Sequence, residues 1–321
     1  MPNLITSIGE ILIDFLPIVE RGETTGFRMH VGGSPYNVAM GVARLGQPVA
    51  FASKVATDFF GRHMRAHVER EGIDTRFLLN ADAQSTLAFV AYEEGEPAYS
   101  FYGDSAADTL LSPGELPQAL FDETRILHFG SISLLRGTTP IAIQAALERL
   151  KGRALLSFDP NLRPGLIRDE PAYRALLQRL FTLADLVKIS AADLGWLEPG
   201  RPIELAAADI LALGPALVVV TRGGAGALAL RALPGAQPHV APLFRVKVAD
   251  TVGAGDSFSG GLLTALAERG VTSREALLAL PAAELDAALA FASAVAAVTC
   301  SRAGANPPNR ADLEQFLQAH S

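Results

Sequence analysis

The chain has 321 residues, 49% of them hydrophobic and 19% charged, which supports a large buried core and excludes a disordered or fibrous protein. Its 27 Lys and Arg against 34 Asp and Glu leave a formal charge of −7, so no overall positive field recruits nucleic acid or an anionic membrane, and any anionic ligand must be held locally. The single cysteine, Cys300, excludes an internal disulfide, and the start MPNLITSIGEILIDF carries acidic residues where a signal peptide is basic; both predict a cytoplasmic protein.

The first strand-like run, EILIDFLP, is interrupted by Asp14. A buried carboxylate without a partner is costly, so Asp14 calls for a hydroxyl or a cation. The run Gly9 to Phe27 departs from a helix-and-strand alternation, as does Ser85 to Tyr102, where LAFVAYEEGEPAYSFY reads as a hairpin turning at Glu94-Gly95. Together they predict a small accessory sheet, a lid made by segments about 9–30 and 85–103. Between them, Gly32-Gly33-Ser34-Pro35 opens a helix. Ser34 reads as its N-cap and Pro35 as its first residue, with Val38, Val42 and Leu45 as the buried stripe and Gly46 as the stop. Asn37 then sits in the first turn, either bonding a ligand hydroxyl that lies flat on Gly32 and Gly33 or facing solvent on an ordinary capped helix. His63 and His67 share a helix face without the Glu of a zinc motif, which predicts a solvated face. His128, in RILHFG, reads as a satisfied core histidine.

Farther along, the apolar runs ALLSFD (154–159), DLVKIS (185–190) and PALVVVT (215–221) alternate with helical stretches at Ala172–Leu183 and Pro202–Leu213. This predicts βαβ units in a parallel sheet covered on both faces, a three-layer α/β sandwich in one domain over 1–321. Ligands of such sheets bind beyond the carboxyl ends of the strands. All three runs end in polar groups there: Asp159-Pro160-Asn161 with Arg163, Lys188 with Ser190, and Thr221-Arg222-Gly223-Gly224. Three such ends in succession predict a ligand cleft.

Asp250-Thr251-Val252-Gly253-Ala254-Gly255-Asp256-Ser257-Phe258 then leads into a helix whose buried face is Phe258, Leu262, Leu263 and Leu266 and whose stop is Gly270. Backbone amides at Gly253 to Gly255, at a helix N-terminus, can surround an anion. A carboxylate directly after such a cradle repels a passive anion but can take a proton from an attacking hydroxyl; alternatively Asp256 is only an N-cap. The absence of GxxxxGK[ST], HRD and DFG excludes Walker-type and protein-kinase sites. The uncharged run Ala287 to Ser301 is shorter than the ~20 residues of a membrane span, and Cys300 at its end reads as a small core residue.

In the GG-helix at Gly32 to Gly46 and in DTVGAGDSF at 250–258, the chain resembles the ribokinase-like, or PfkB-type, carbohydrate kinases. DPNLRP at 159–164, KIS at 188–190, TRGGAG at 221–226 and the Arg302 to Ala305 loop follow in the order of that family. GEILIDF, GGSPYNVA and the YSFY to SAAD stretch at 99–108 are most similar to bacterial fructokinases. The resemblance implies transfer of the ATP γ-phosphate to a sugar hydroxyl, with Asp256 as base and the amides of Gly253, Ala254 and Gly255 as the anion hole. It places the sugar on Asp14, Gly32, Gly33, Asn37 and Arg163, and the nucleotide on Thr221, Gly223, Gly226 and, as a weaker match, Lys188. Mg²⁺ would accompany ATP, K⁺ would lie near Asp250, the Val252 carbonyl and Gly304, and the lid would pair two copies into a homodimer.

Two departures from the family stand out. Its Asn-x-x-Glu motif falls on Ser190-Ala191-Ala192-Asp193, and Gly103 stands where many relatives carry a basic residue. The second favours a neutral sugar, unless Arg136 or Arg168 substitutes. D-fructose, giving the 6-phosphate, is the expected substrate. A kinase of 2-keto-3-deoxygluconate or of a ribosyl compound, and a non-catalytic sugar or nucleotide sensor, are the alternatives.

Overall fold

The computed structural model describes residues 3–93 and 96–320, the side chains of 90–99 apart. Its strands are β1 (Leu4–Ile8), β2 (Leu12–Glu20), β3 (Glu23–Gly32), β4 (Val49–Ala56), β5 (Leu78–Ala81), β6 (Leu87–Glu93) and β7 (Glu96–Tyr102) in the first part of the chain. They continue with β8 (Thr124–Gly130), β9 (Leu155–Asp159), β10 (Leu186–Ser190), β11 (Leu217–Thr221), β12 (Ala227–Arg231) and β13 (His239–Ala241). The helices are α1 (Ser34–Arg44), α2 (Phe59–Arg70), α3 (Gln118–Glu123), α4 (Thr139–Leu150), α5 (Glu170–Leu183), α6 (Ala191–Leu197), α7 (Ile203–Ala212), α8 (Ala254–Glu268), α9 (Arg274–Ala279), α10 (Ala282–Cys300) and α11 (Arg310–Ala319).

A nine-stranded sheet runs β13-β12-β11-β10-β9-β8-β1-β4-β5, every neighbouring pair parallel except β11–β12 and β12–β13 at one edge, where β12 alone is reversed. Successive side chains of a strand point to opposite faces, and here both faces are apolar. Leu155, Leu186, Leu217 and Val219 enter one core with α1, α8 and α10, whereas Leu156, Val187, Val218 and Val220 enter the other with α4, α5 and α7. This is the expected three-layer sandwich. Strand order reverses at β1, which lies between β8 and β4, so a ligand crevice opens beyond the carboxyl ends of β1 and β8.

The second sheet has the order β3-β2-β6-β7. Arg21 and Gly22 both take positive φ, the left-handed turn that joins two antiparallel strands, so the segment around Gly9 to Phe27 becomes the β2–β3 hairpin and extends to Gly32. Glu93 pairs with Glu96; the turn expected at Glu94-Gly95 lies outside the described residues. Phe15 stacks on Phe89 at 4.6 Å, with Phe27 and Phe60 edge-on, so this sheet has its own aromatic packing.

α10, at 19 residues, is long and apolar enough by composition to cross a membrane, against the expectation for this stretch. Its Leu285, Ala288, Leu289 and Ala292 nevertheless pack in the core with α8, as a core helix does.

Candidate active site

α8 begins at Gly253, which caps it in the left-handed conformation (φ 73°). A side chain there would place a Cβ 2.6 Å from that of Ala305, so both backbone angle and space demand glycine. The Ala254 N–H is engaged by the Thr251 carbonyl at 3.2 Å. Of the three amides expected to form the anion hole, that of Ala254 is thus already bonded within the turn.

Asp256 is not the N-cap. It sits in the first turn of α8, buried, with Oδ1 accepting the Ser34 hydroxyl at 2.6 Å and Oδ2 accepting the Asn37 side-chain amide at 2.8 Å. Asn161 approaches Oδ1 at 3.5 Å. The glycine face SGG of α8 makes this possible: a Cβ at Gly260 would lie 3.2 Å from the Val38 carbonyl, so α1 and α8 pack with little between them and α1 reaches the carboxylate. Burial raises the Asp256 pKa above the ordinary carboxylate value, and the bonds from Ser34 and Asn37 oppose that rise.

α1 starts one residue earlier than the sequence suggests, because Gly33 (φ 111°) occupies the cap position and Ser34 is the first helical residue. The Ser34 hydroxyl is thereby released from capping and turns to Asp256. Asn37 is buried, which removes the solvent-facing alternative; its Nδ2 is committed to Asp256, and its Oδ1 has no hydrogen-bond partner among the described residues.

Asp14, Gly33, Asn37, Arg163 and Asp256 line one cleft of about 890 Å³, beside the reversal point of the sheet. Burial first, and then the Asp256 charge, push the Asp14 pKa up to about 6 against the pull of Arg163. Gly32 gives Asp14 its place, since a Cβ there would collide with the Asp14 carboxylate. Asp159 pairs with the Lys188 ammonium at 2.8 Å, while Arg163 is held by the Asn161 side chain at 2.7 Å. Burial alone lowers the Lys188 pKa, yet Asp159 and then Asp256 outweigh it and hold the ammonium charged.

Lys188, Thr221, Gly223 and Gly255 extend the cleft, and a second cavity of about 500 Å³ continues from Thr221, Gly223, Gly226, Ala254 and Gly255 into an apolar slot. The slot is closed by Phe244, Phe258, Ala297 and Cys300; Cys300 is thus a wall of the slot and not a core residue. Ser190 caps α6 through the Asp193 amide, and Asp193 lines the cleft with its pKa raised by burial and by Asp159. Asp159 Oδ1 is buried without a hydrogen-bond partner. Asp250 joins the Val252 and Gly304 amides at 3.1 and 2.8 Å, so the structure brings these three together as a loop clamp.

The remaining candidates take structural places. His67 Nδ1 meets the Tyr36 hydroxyl at 2.5 Å, so that face is not merely solvated. His128 is buried against Ser157, and burial takes its pKa down to about 4. Arg136 and Arg168 both turn to Asp104, and neither lines the cleft. Glu10 and Trp196 line it and were not singled out by the sequence, in which Glu10 is one acidic residue in a strand-like run and Trp196 one aromatic in an ordinary helix.

A buried carboxylate near the point where a cleft continues into an apolar slot, with a second carboxylate lining the same cleft, is an arrangement compatible with phosphoryl transfer to a polyol. The chain is 35% identical over 263 residues to a fructokinase of Rhizobium leguminosarum bv. trifolii, covering 82% of this chain and 79% of that protein. The crystal structure of a Xylella fastidiosa fructokinase with bound ATP superposes with a TM-score of 0.90 at 30% identity, over 100% of this chain and 99% of that one. A Vibrio cholerae fructokinase in a fructose-, ADP- and calcium-bound form superposes with a TM-score of 0.85 at 29% identity, over 98% and 99%. The model of the pfkB family carbohydrate kinases matches residues 2–312, and with that the chain, from its GG-helix to its DTVGAGDSF turn, belongs to the pfkB family of carbohydrate kinases.

Proposed function

We propose that this protein is an ATP-dependent fructokinase that makes fructose 6-phosphate in the cytoplasm. The observation that carries the reading is Asp256, a buried carboxylate at the meeting of sugar cleft and nucleotide slot. In the reaction the sugar hydroxyl oxygen bonds to the γ-phosphorus, its proton passes to Asp256, and the bond to the ADP oxygen breaks. Asp14, Asn37 Oδ1, Gly32, Gly33 and Arg163 hold the sugar; the Gly253 and Gly255 amides, with Lys188, face the transferred phosphoryl; Thr221, Gly223 and Gly226 border the nucleotide. The part-buried carboxylate of Asp193, which lines the cleft, suits Mg²⁺, a hard cation, which when bound would neutralise phosphate charge. The Asp250 clamp, with Val252 and Gly304, is the proposed place for K⁺.

The relatives named above are fructokinases, and the two arginines that could have met a substrate carboxylate, Arg136 and Arg168, are not among the residues lining the cleft. Fructose is therefore expected to exceed 2-keto-3-deoxygluconate in kcat/KM by ~10² or more, since a site built for hydroxyls leaves polar groups unpaired when they are missing. Coupled ADP-release assays across sugars, sugar acids and ribosyl compounds measure this; a reversed ranking refutes fructose and leaves the kinase standing.

Asp14→Ala is expected to raise the fructose KM about ten-fold or more with the ATP KM unchanged, because charge-assisted bonds to hydroxyls are worth about 1.5 to 3 kcal/mol each. A lower melting temperature with unchanged sugar kinetics would instead make Asp14 structural.

We also propose one domain over 1–321 with the small sheet as its lid, and a homodimer formed through that sheet. Val19, Phe27 and Tyr102 stand exposed on it, with Phe59 beside it, an apolar patch of the kind that marks an interface. Light-scattering mass should be that of two chains; a single-chain mass at micromolar concentration rejects the dimer.

A further inference from the structure

Glu10 is buried at the corner between β1 and β2. One of its carboxylate oxygens accepts the Ser34 amide at 3.1 Å; the other accepts the Ser133 amide at 3.1 Å and the Ser133 hydroxyl. The Glu10 carboxylate thus holds the first turn of α1, where the helix dipole favours a negative charge, and ties it to the segment that follows β8. The same residue, Ser34, sends its hydroxyl to Asp256 at 2.6 Å. Three segments far apart in sequence therefore meet in one chain of contacts: Glu10 fixes the Ser34 backbone, and the Ser34 side chain fixes Asp256.

We propose that Ser34 is a positioning residue for phosphoryl transfer, set in place by Glu10, whose hydroxyl fixes the orientation of the Asp256 carboxylate and keeps it ionised. This deepens the kinase reading above and rests on Asp256 being the base. A donor on Oδ1 and a second, Asn37, on Oδ2 lock the plane of the carboxylate. A hydrogen bond to the charged form favours that form, against the burial that disfavours it. The other groups facing Asp256 are Asn161 after β9, Asp159 at the end of β9, Lys188 on β10, His128 on β8 and Asp14 on β2. Lys188 stays charged and His128 neutral near neutral pH, so Asp14, with a pKa of about 6, and Glu10, which burial pushes up to about 7 and which reaches Asp256 through Ser34, are the neighbours whose titrations have to be told apart.

The test is a carbon-13 titration of the full-length protein labelled at aspartate carboxyls, with Asp256→Asn and Asp14→Asn assigning the two resonances. In Ser34→Ala the Asp256 midpoint is expected to move up by about one pH unit, with kcat falling about ten-fold or more and the fructose KM within about two-fold. Ser34→Thr, which keeps the hydroxyl, restores both. Glu10→Gln keeps an acceptor for the Ser34 amide, so it moves the midpoint less than Ser34→Ala does. An unmoved midpoint in Ser34→Ala, or a raised fructose KM with unchanged kcat, overturns the proposal. The titration needs no turnover: a wild-type protein inactive on sugars would refute the kinase reading, while the midpoint shift would still decide whether Ser34 governs Asp256.

Discussion

Asp256→Asn is expected to lower kcat by ~10² to 10⁴ and to leave nucleotide affinity nearly unchanged, the usual cost of losing a general base. The variant should fold, because the contacts of the carboxylate are reversible. The Ser34 hydroxyl can accept as well as donate, and Asn37 has an oxygen without a partner to offer an incoming amide. The pH profile carries a second signature. Burial raises the Asp256 pKa, and a base works only when deprotonated, so wild-type kcat should fall off on the acid side at a higher pH than an ordinary carboxylate would set. That limb should vanish from the residual rate of the variant. Near wild-type turnover in Asp256→Asn, measured by coupled ADP release, would remove Asp256 from the mechanism.

Gly255→Val should be the next most damaging change, with kcat falling by ~10² or more, the scale seen when one donor of an anion hole is lost. A Cβ on Gly255 would lie 2.8 Å from the Lys188 ammonium. A lysine tip on a surface would simply swing away, but this one is buried and bound to Asp159 at 2.8 Å. Moving it would separate a buried ion pair, and leaving it would crowd the space in which a phosphoryl group must sit. Sugar affinity should survive, because a Cβ at Gly255 would meet Lys188 and neither Asp14 nor Asn37. If sugar affinity collapsed and kcat held, the turn would belong to the sugar and the two halves of the cleft would exchange roles.

The layered fold was legible because strands buried on both faces are short, β-branched and apolar without interruption, as in LVVVT at 217–221. The helix of DTVGAGDSF was equally legible, since a glycine turn followed by an apolar stripe fixes both its start and its buried side. Partner choice was not. Whether Asp159 faces Arg163 or Lys188 depends on which neighbour the sheet register brings alongside, and that register emerges only when β9 and β10 pair. Ser34 illustrates a second blind spot. Ser before Pro is a good cap by local rules, but Gly33 accepts the cap angle more readily, and a carboxylate 222 positions away claims the hydroxyl. Glu10 went unseen for the same reason: its worth lies in Ser34 and Ser133, to which no local pattern points.

The only tryptophan of the chain, Trp196, lines the cleft at the end of α6. The Arg174 guanidinium lies 4.2 Å over its ring and donates to its carbonyl, so the indole is held in one setting. The protein thus carries an intrinsic fluorophore on the wall of its cleft, and a change in emission on adding fructose or ATP, in unlabelled protein and without turnover, is the expected sign that either one enters there.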